Sequence, residues 1–199
     1  MEPEEKISGI YELFLKLVDA LELERKGAVY LRALFLEEAD RLIREVRSHQ
    51  QALASRLQGR GSKGKDPSLL KYASIHGHID RICEHMENMS KALSARCMEG
   101  IRFSDKAADE VDYLFGELKD ILSGTSSLLA GAKDIALAGS VGQAELAFSV
   151  SVGGFEVRHG ERIAHGICLP RASSIYMEML DSFRAIAWHS KEIAQELQD

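Results

Sequence analysis

The sequence contains little of several residue types that would mark other classes of protein. Only three of its 199 residues are proline and only 7% are aromatic, which favours long uninterrupted helices over a strand-rich fold. The three cysteines, Cys83, Cys97 and Cys168, form no Cys-x-x-Cys pair. Neither a disulfide framework nor a zinc ribbon is therefore indicated, and a reducing cytoplasm is the predicted location.

Acidic residues outnumber basic ones, 31 to 25. The formal net charge is -6, and binding to nucleic acid requires clustered Lys and Arg, so no nucleic-acid partner is predicted. The amino terminus, MEPEEKISGIYELF, is acidic and lacks the features of a secretion signal. No run approaches the roughly 18 uncharged apolar residues that span a bilayer. We therefore predict a cytoplasmic chain that meets the membrane only through a partner.

The stretch from Tyr72 to Leu93 has the clearest helical pattern in the chain. Its apolar residues recur at alternating intervals of three and four, the spacing of a helix buried in a bundle: Tyr72, Ile75, Ile79, Ile82, Met86, Met89 and Leu93. A shift of 104 residues, from Tyr72 to Tyr176, reaches seven positions of which six are again apolar: Tyr176, Met179, Phe183, Ile186, Ser190, Ile193 and Leu197. The chain is therefore predicted to contain its buried helix twice.

The same periodicity predicts six helices. Their ranges are about 5–26, 28–57, 67–93 with a stop by Gly100, 104–132 with a cap at Ser104, 142–165, and Pro170 to the carboxyl terminus. Residues 146–152 also alternate like a strand, and Gly153-Gly154 could turn a hairpin, but an isolated hairpin is marginal and we place a helix there. The predicted fold is all-α, a tandem pseudo-repeat of two three-helix bundles, residues 1–102 and 103–199, packed as one compact unit.

Three carboxylates lie on a second face of the central helix. Asp80, Glu84 and Glu87 are spaced i, i+4 and i+7, roughly opposite the apolar stripe. Like charges at this spacing cost an isolated helix about 0.2 to 0.5 kcal/mol, a penalty that a bound cation could reverse. A solvated acidic face near Arg81 is the alternative.

Other candidate motifs are less specific. Gly59 to Asp66 fits Gly-x-x-x-x-Gly-Lys, but Asp66 stands where a phosphate loop has Ser or Thr and no strand precedes it, so a basic connector is predicted. Glu156 and His159 form a single Glu-x-x-His element, whereas a di-iron bundle needs two. His85 and His189 occupy equivalent positions in the two copies of the helix, which indicates a shared packing role.

Residues 80–89, DRICEHMENM, resemble the E/D-R-I-G-D-H-x-x-N-I signature of PhoU-like proteins. Residues 101–107, IRFSDKA, look like the helix connection of the PhoU-like cytosolic domains of sodium/phosphate cotransporters, and residues 159–193 look like their second repeat. The resemblance implies tandem three-helix bundles and an association with phosphate transport.

The resemblance also implies a metal site. PhoU-like proteins bind divalent or trivalent transition metals, such as iron or zinc, through the two carboxylates of the motif, which places the metal at Asp80 and Glu84. Glu87 and Asn88 match motif positions whose role as ligands is less clear. Cys83 replaces the usual Gly, and the second repeat has Arg184 and Trp188 at the carboxylate positions, so its metal site is predicted to be lost.

Three functional hypotheses remain open on the sequence alone. The preferred one is a non-catalytic, PhoU-like regulator of phosphate transport and homeostasis, which contacts a phosphate transporter or its signalling kinase at the inner membrane face. The sequence leaves open whether it is a monomer or a homodimer. The second is a metal-dependent enzyme that uses Asp80, Glu84, Glu156 and His159. The third is a helical interaction module without metal.

Overall fold

Long α-helices form almost all of the described chain, as the apolar periodicity predicts. The computed structural model describes residues 3–58, 67–131 and 134–198, with side chains over 9–52, 70–131 and 134–198. The helices are α1 Pro3–Tyr30, α2 Ala33–Gln58, α3 Pro67–Met98, α4 Asp105–Leu129, α5 Ile135–Ala164 and α6 Pro170–Glu196. None of the described residues forms a strand. The all-α prediction is confirmed, and residues 146–154 are helical. The glycine-rich loop 59–66 lies outside the described residues.

The junction of α1 and α2 differs from the prediction. α1 continues through Gly27 to Tyr30, and α2 begins only at Ala33. A side chain at Gly27 would collide with Leu36 of α2, so this glycine allows two helices to approach closely rather than ending a helix. The chain reverses at Leu31, whose φ of 53° lies in the left-handed region.

Side-chain caps set the starts of α4 and α5. Ser104 accepts a hydrogen bond from the Ala107 backbone N–H at 3.3 Å, which confirms the predicted cap. Asp134 caps α5 in the same way, because Leu137 N donates to Asp134 Oδ1 at 3.0 Å. α5 therefore begins at Ile135, well before the predicted start at Gly142.

The two halves of the chain pack helix against helix. α1, α2 and α3 contact one another, as do α4, α5 and α6, and the halves meet through α1 with α4 and α3 with α6. All seven apolar positions of the α3 stripe are buried, and in α6 the equivalent residues from Tyr176 to Ile193 are buried too. The duplicated buried helix is confirmed, whereas the boundary between residues 102 and 103 stays a prediction.

α5 stands apart in its composition. Among the described residues it is the one helix that is long and apolar enough to span a membrane, by length and composition alone. This differs from the prediction that no run of the sequence approaches a membrane span. Only 22% of its most apolar 18-residue stretch is buried. Its apolar residues therefore lie largely on the outside of the bundle.

Candidate functional site on the acidic face of α3

The acidic face of α3, defined as Asp80, Glu84 and Glu87, points away from the core. The side chains of Asp80 and Glu84 are 48% and 41% exposed, whereas Met86 is fully buried. The rotation of α3 about its axis therefore agrees with the rotation that the spacing of its apolar residues predicts.

Arginines neutralise all three carboxylates. Arg47 of α2 reaches across to α3, with its Nε 3.3 Å from Asp80 Oδ1 and its Nη1 2.6 Å from Glu87 Oε2. Arg81 donates from Nη1 to Glu84 Oε2 at 2.7 Å, and this hydrogen bond lowers the pKa of Glu84. The face is thus a network of ion pairs that joins α2 to α3.

In this arrangement of side chains, arginines balance the charge of the three carboxylates. Over the parts of the chain that are described, no group of three or more His, Cys, Asp or Glu residues is placed to hold one, and two guanidinium groups already serve as the cations of the acidic face. Cys83, next to Glu84 in sequence, is buried, and its burial, with Asp80 nearby, raises the pKa of its thiol to about 12. A metal at Asp80 and Glu84 stays a prediction.

The equivalent face of α6 carries different chemistry. Arg184 forms an ion pair with Glu156 of α5, with 2.7 Å between Nη2 and Oε1, and Trp188 is partly exposed. His159 instead stacks on Tyr176, with 4.3 Å between the ring centroids. Glu156 and His159 therefore contact different partners, so the Glu-x-x-His element does not assemble a ligand pair.

Three histidines meet where α3 packs against α6. The Nδ1 atoms of His78 and His189 are 2.8 Å apart, and the rings of His85 and His189 have centroids 6.1 Å apart. His78 Nε2 also lies 3.6 Å from Glu196 Oε1. The repeat placed His85 and His189 at equivalent positions, and the structure adds that they are neighbours and that His78 joins them.

Burial, together with the nearby His78 and His85, lowers the pKa of His189 to about 4. Arg81 acts in the same direction and Glu192 opposes it. The unfolded chain should take up a proton at this histidine near pH 6.5, before the folded chain does. Acidification from pH 6.5 towards pH 4 therefore disfavours the folded state through His189.

We expect His189→Gln to remove part of the loss of stability in acid. After allowance for solvent screening of this partly exposed side chain, the difference should be on the order of 1 kcal/mol. Urea unfolding of the wild type and the variant at pH 7.5 and pH 5 measures it, with the exposed His165→Gln as the matched control. If the free energy of unfolding falls by the same amount between pH 7.5 and pH 5 in the wild type and in His189→Gln, the expectation is contradicted.

A second polar cluster lies between α4, α5 and α6. Glu110 accepts hydrogen bonds from Arg162 at 2.6 and 3.0 Å and from Tyr176 at 2.6 Å. Burial acts to raise the pKa of Glu110, but the bonds from Arg162 and Tyr176 outweigh it and the pKa is lowered. The cluster borders a cleft of about 520 Å³ that Lys106 and Arg158 also line. No motif in the sequence predicts this cluster.

Comparison with known proteins supports the fold. No family model matches the sequence, and no curated protein matches it. The fold is similar to a solved structure, that of a protein from Shewanella oneidensis MR-1 assigned as a PhoU-like phosphate regulatory protein. The TM-score is 0.72, the sequence identity is 9%, and the match covers 97% of each chain. The chain has the PhoU-like fold, as its resemblance in residues 80–107 implies.

Proposed function

We propose that this chain is a cytoplasmic, non-catalytic regulator of phosphate transport and phosphate homeostasis that acts by protein contact. One observation carries the proposal: the polar residues of the DRICEHMENM motif lie on the outward face of α3 and its apolar residues are buried, in a chain whose fold matches, over 97% of its length, that of a protein assigned as a phosphate regulator. The fold and the motif are independent, because the structural match has only 9% identity.

The proposed mechanism is a shift of a partner between two states. Asp80 and Glu84 are about half exposed, and neither is needed to fill the core. A basic surface on a phosphate transporter or its signalling kinase could compete with Arg47 and Arg81 for these carboxylates. Contact shifts the partner's equilibrium towards the state that binds this chain more tightly, by as much as the two affinities differ. The regulator would thereby be peripheral to the membrane.

A metal on the same face is a separate part of the proposal. A divalent or trivalent cation would be held by Asp80 and Glu84, with Glu87 beside them, and would have to displace Arg47 and Arg81. Bound there, it would supply positive charge to an acidic partner. The protein contact does not depend on it.

We expect the tagged chain to capture a phosphate transporter or its associated kinase from membranes of cells grown at high and low phosphate. Asp80→Ala/Glu84→Ala should reduce the captured amount at least tenfold, because it removes the two exposed carboxylates of the motif. Glu117→Ala/Asp120→Ala is the matched control, since it removes two exposed carboxylates of α4. Equal recovery with the motif variant and the control would refute a role for this face.

The same two variants test the metal. Elemental analysis of the native protein should find a transition metal that Asp80→Ala/Glu84→Ala loses and Glu117→Ala/Asp120→Ala keeps. The same metal content in all three proteins would refute a metal site at Asp80 and Glu84. A stoichiometric metal whose loss abolishes a measurable oxidation or hydrolysis would instead favour the metal-dependent enzyme.

A further inference from the structure

The outer face of α5 is a continuous apolar surface that none of the described residues covers. We define it by eight residues that recur at intervals of three and four on one side of the helix: Ile135, Gly139, Gly142, Leu146, Val150, Gly153, Val157 and Gly160. Its large side chains are 65 to 79% exposed. Such contiguous exposed apolar surface is uncommon on a monomer and marks a contact site.

The bundle itself does not require an apolar outer face. α2 occupies the same place in the other half: among the described helices it contacts α1 and α3 alone, as α5 contacts α4 and α6 alone. α2 exposes Glu37, Arg41, Arg44 and Ser48. The α5 outer face is therefore a specific feature of α5, beyond what the packing of three helices demands.

This face is complementary to a copy of itself. When two α5 helices run antiparallel about a two-fold axis between Ser149 and Val150, residues whose numbers add up to 299 lie opposite each other. This register places large residues against small ones: Leu146 against Gly153, Val157 against Gly142, and Ile135 against Ala164. Gly139 meets Gly160, so the backbones can approach closely near both ends.

We propose that two copies of this chain form a symmetric dimer through the α5 outer face. A two-fold interface uses the same patch on both partners, as the alternation of large and small residues about the Ser149–Val150 midpoint requires. α5 has 30 residues, so the contact can extend over about 45 Å with a width of about 10 Å. These dimensions give roughly 450 Å² on each partner, below the roughly 800 Å² of a standard interface, so a reversible dimer is expected.

A second copy fits this surface better than a lipid bilayer does. A bilayer makes no use of glycines placed opposite bulky residues, whereas a paired helix does. The net charge of -6 also disfavours an anionic membrane surface, which attracts basic segments. The dimer does not depend on the proposed regulatory function, and its tests use the purified chain alone.

The first test is the oligomeric state in solution. Sedimentation equilibrium should give a dimer for the wild type and at least a tenfold weaker dimer for Leu146→Glu, because the substitution places a carboxylate against Gly153 of the other copy. Leu34→Glu on α2 is the matched control, since Leu34 is equally exposed, at 72% against 65% for Leu146. It should leave the dimer unchanged. Circular dichroism checks that both variants are folded.

The second test is the register. Val150 lies next to the two-fold axis, so Val150→Cys should give a disulfide-linked dimer on mild oxidation. The two copies of residue 157 would be about 22 Å apart, from 15 residues at 1.5 Å each, so Val157→Cys alone should not cross-link. Gly142→Cys/Val157→Cys should, and position 142 has room for a side chain. Wild type, which retains its three native cysteines, controls for other disulfides.

Three results would overturn the proposal. The first is a wild-type monomer at all concentrations tested. The second is a dimer that Leu146→Glu does not weaken, or that cross-links at Val157→Cys and not at Val150→Cys. The third is a monomer that co-sediments with vesicles of zwitterionic lipid and loses that binding in Leu146→Glu, which would make the bilayer the occupant of this face.

Discussion

Met86→Ala should lower the free energy of unfolding by about 2 to 5 kcal/mol. Met86 is fully buried on the apolar stripe of α3, the helix that packs against α1, α2 and α6. Truncation to alanine leaves a cavity at this junction, and long helices that are fixed on several sides cannot collapse to fill it. Urea or thermal unfolding of the variant beside the wild type measures the loss.

Glu87→Ala is the control, because it changes the next residue of the same turn. Its carboxylate pairs with Arg47 at 2.6 Å and is 20% exposed, so its loss should cost about 1 kcal/mol or less. Similar unfolding midpoints for Met86→Ala and Glu87→Ala would mean that the helix is rotated differently from the arrangement described above.

The fold could be predicted where the pattern is local. Burial of Met86 and exposure of Glu84 follow from the spacing of the apolar residues, because each helix must turn its apolar stripe inward. α5 was harder to predict. Residues 146–152 alternate like a strand, and the true start lies at the Asp134 cap. α5 carries apolar residues on its exposed side as well as on its buried side. Its apolar residues therefore do not mark a single face with the helical period.

The partners of the site residues could not be predicted in the same way. Arg47 lies on α2 and Asp80 on α3, and their contact depends on the rotation and tilt of one helix against the other, which sequence spacing does not encode. His78 and His189 are 111 residues apart in sequence. The duplication shows that α3 and α6 are alike, but only the packing of α3 against α6 shows that their histidines meet.

The Glu110 cluster went unpredicted for a related reason. Glu110 on α4 resembles any acidic residue of a charged helix, and Arg162 lies near the end of α5. Only Tyr176 carried a signal, because it is the polar aromatic residue of a buried stripe and its hydroxyl needs a partner. A search for acids in the neighbouring helices could have followed from that hydroxyl.

Glu110→Ala should be among the most destabilising substitutions in the chain, at about 3 to 5 kcal/mol. The side chains of Glu110 and Arg162 are only 11% and 10% exposed, and Glu110 accepts two hydrogen bonds from Arg162 and one from Tyr176. Removal of the carboxylate leaves a buried guanidinium without its counter-charge and a buried hydroxyl without its acceptor. Urea unfolding measures the loss, and Glu117→Ala, an exposed carboxylate of the same helix, should change stability by no more than about 0.5 kcal/mol.

A double variant separates the cost of the broken ion pair from the cost of lost packing. Arg162→Met keeps an apolar side chain of similar length and removes the charge, so Glu110→Ala/Arg162→Met should be more stable than Glu110→Ala alone. This order of stability follows only if the unpaired guanidinium carries most of the cost. If instead Glu110→Ala alone costs less than about 1 kcal/mol, a value typical of an exposed ion pair, Arg162 must reach solvent through the adjoining 520 Å³ cleft. The cluster would then be a surface pair, and the junction of α4, α5 and α6 would be held by its apolar contacts alone.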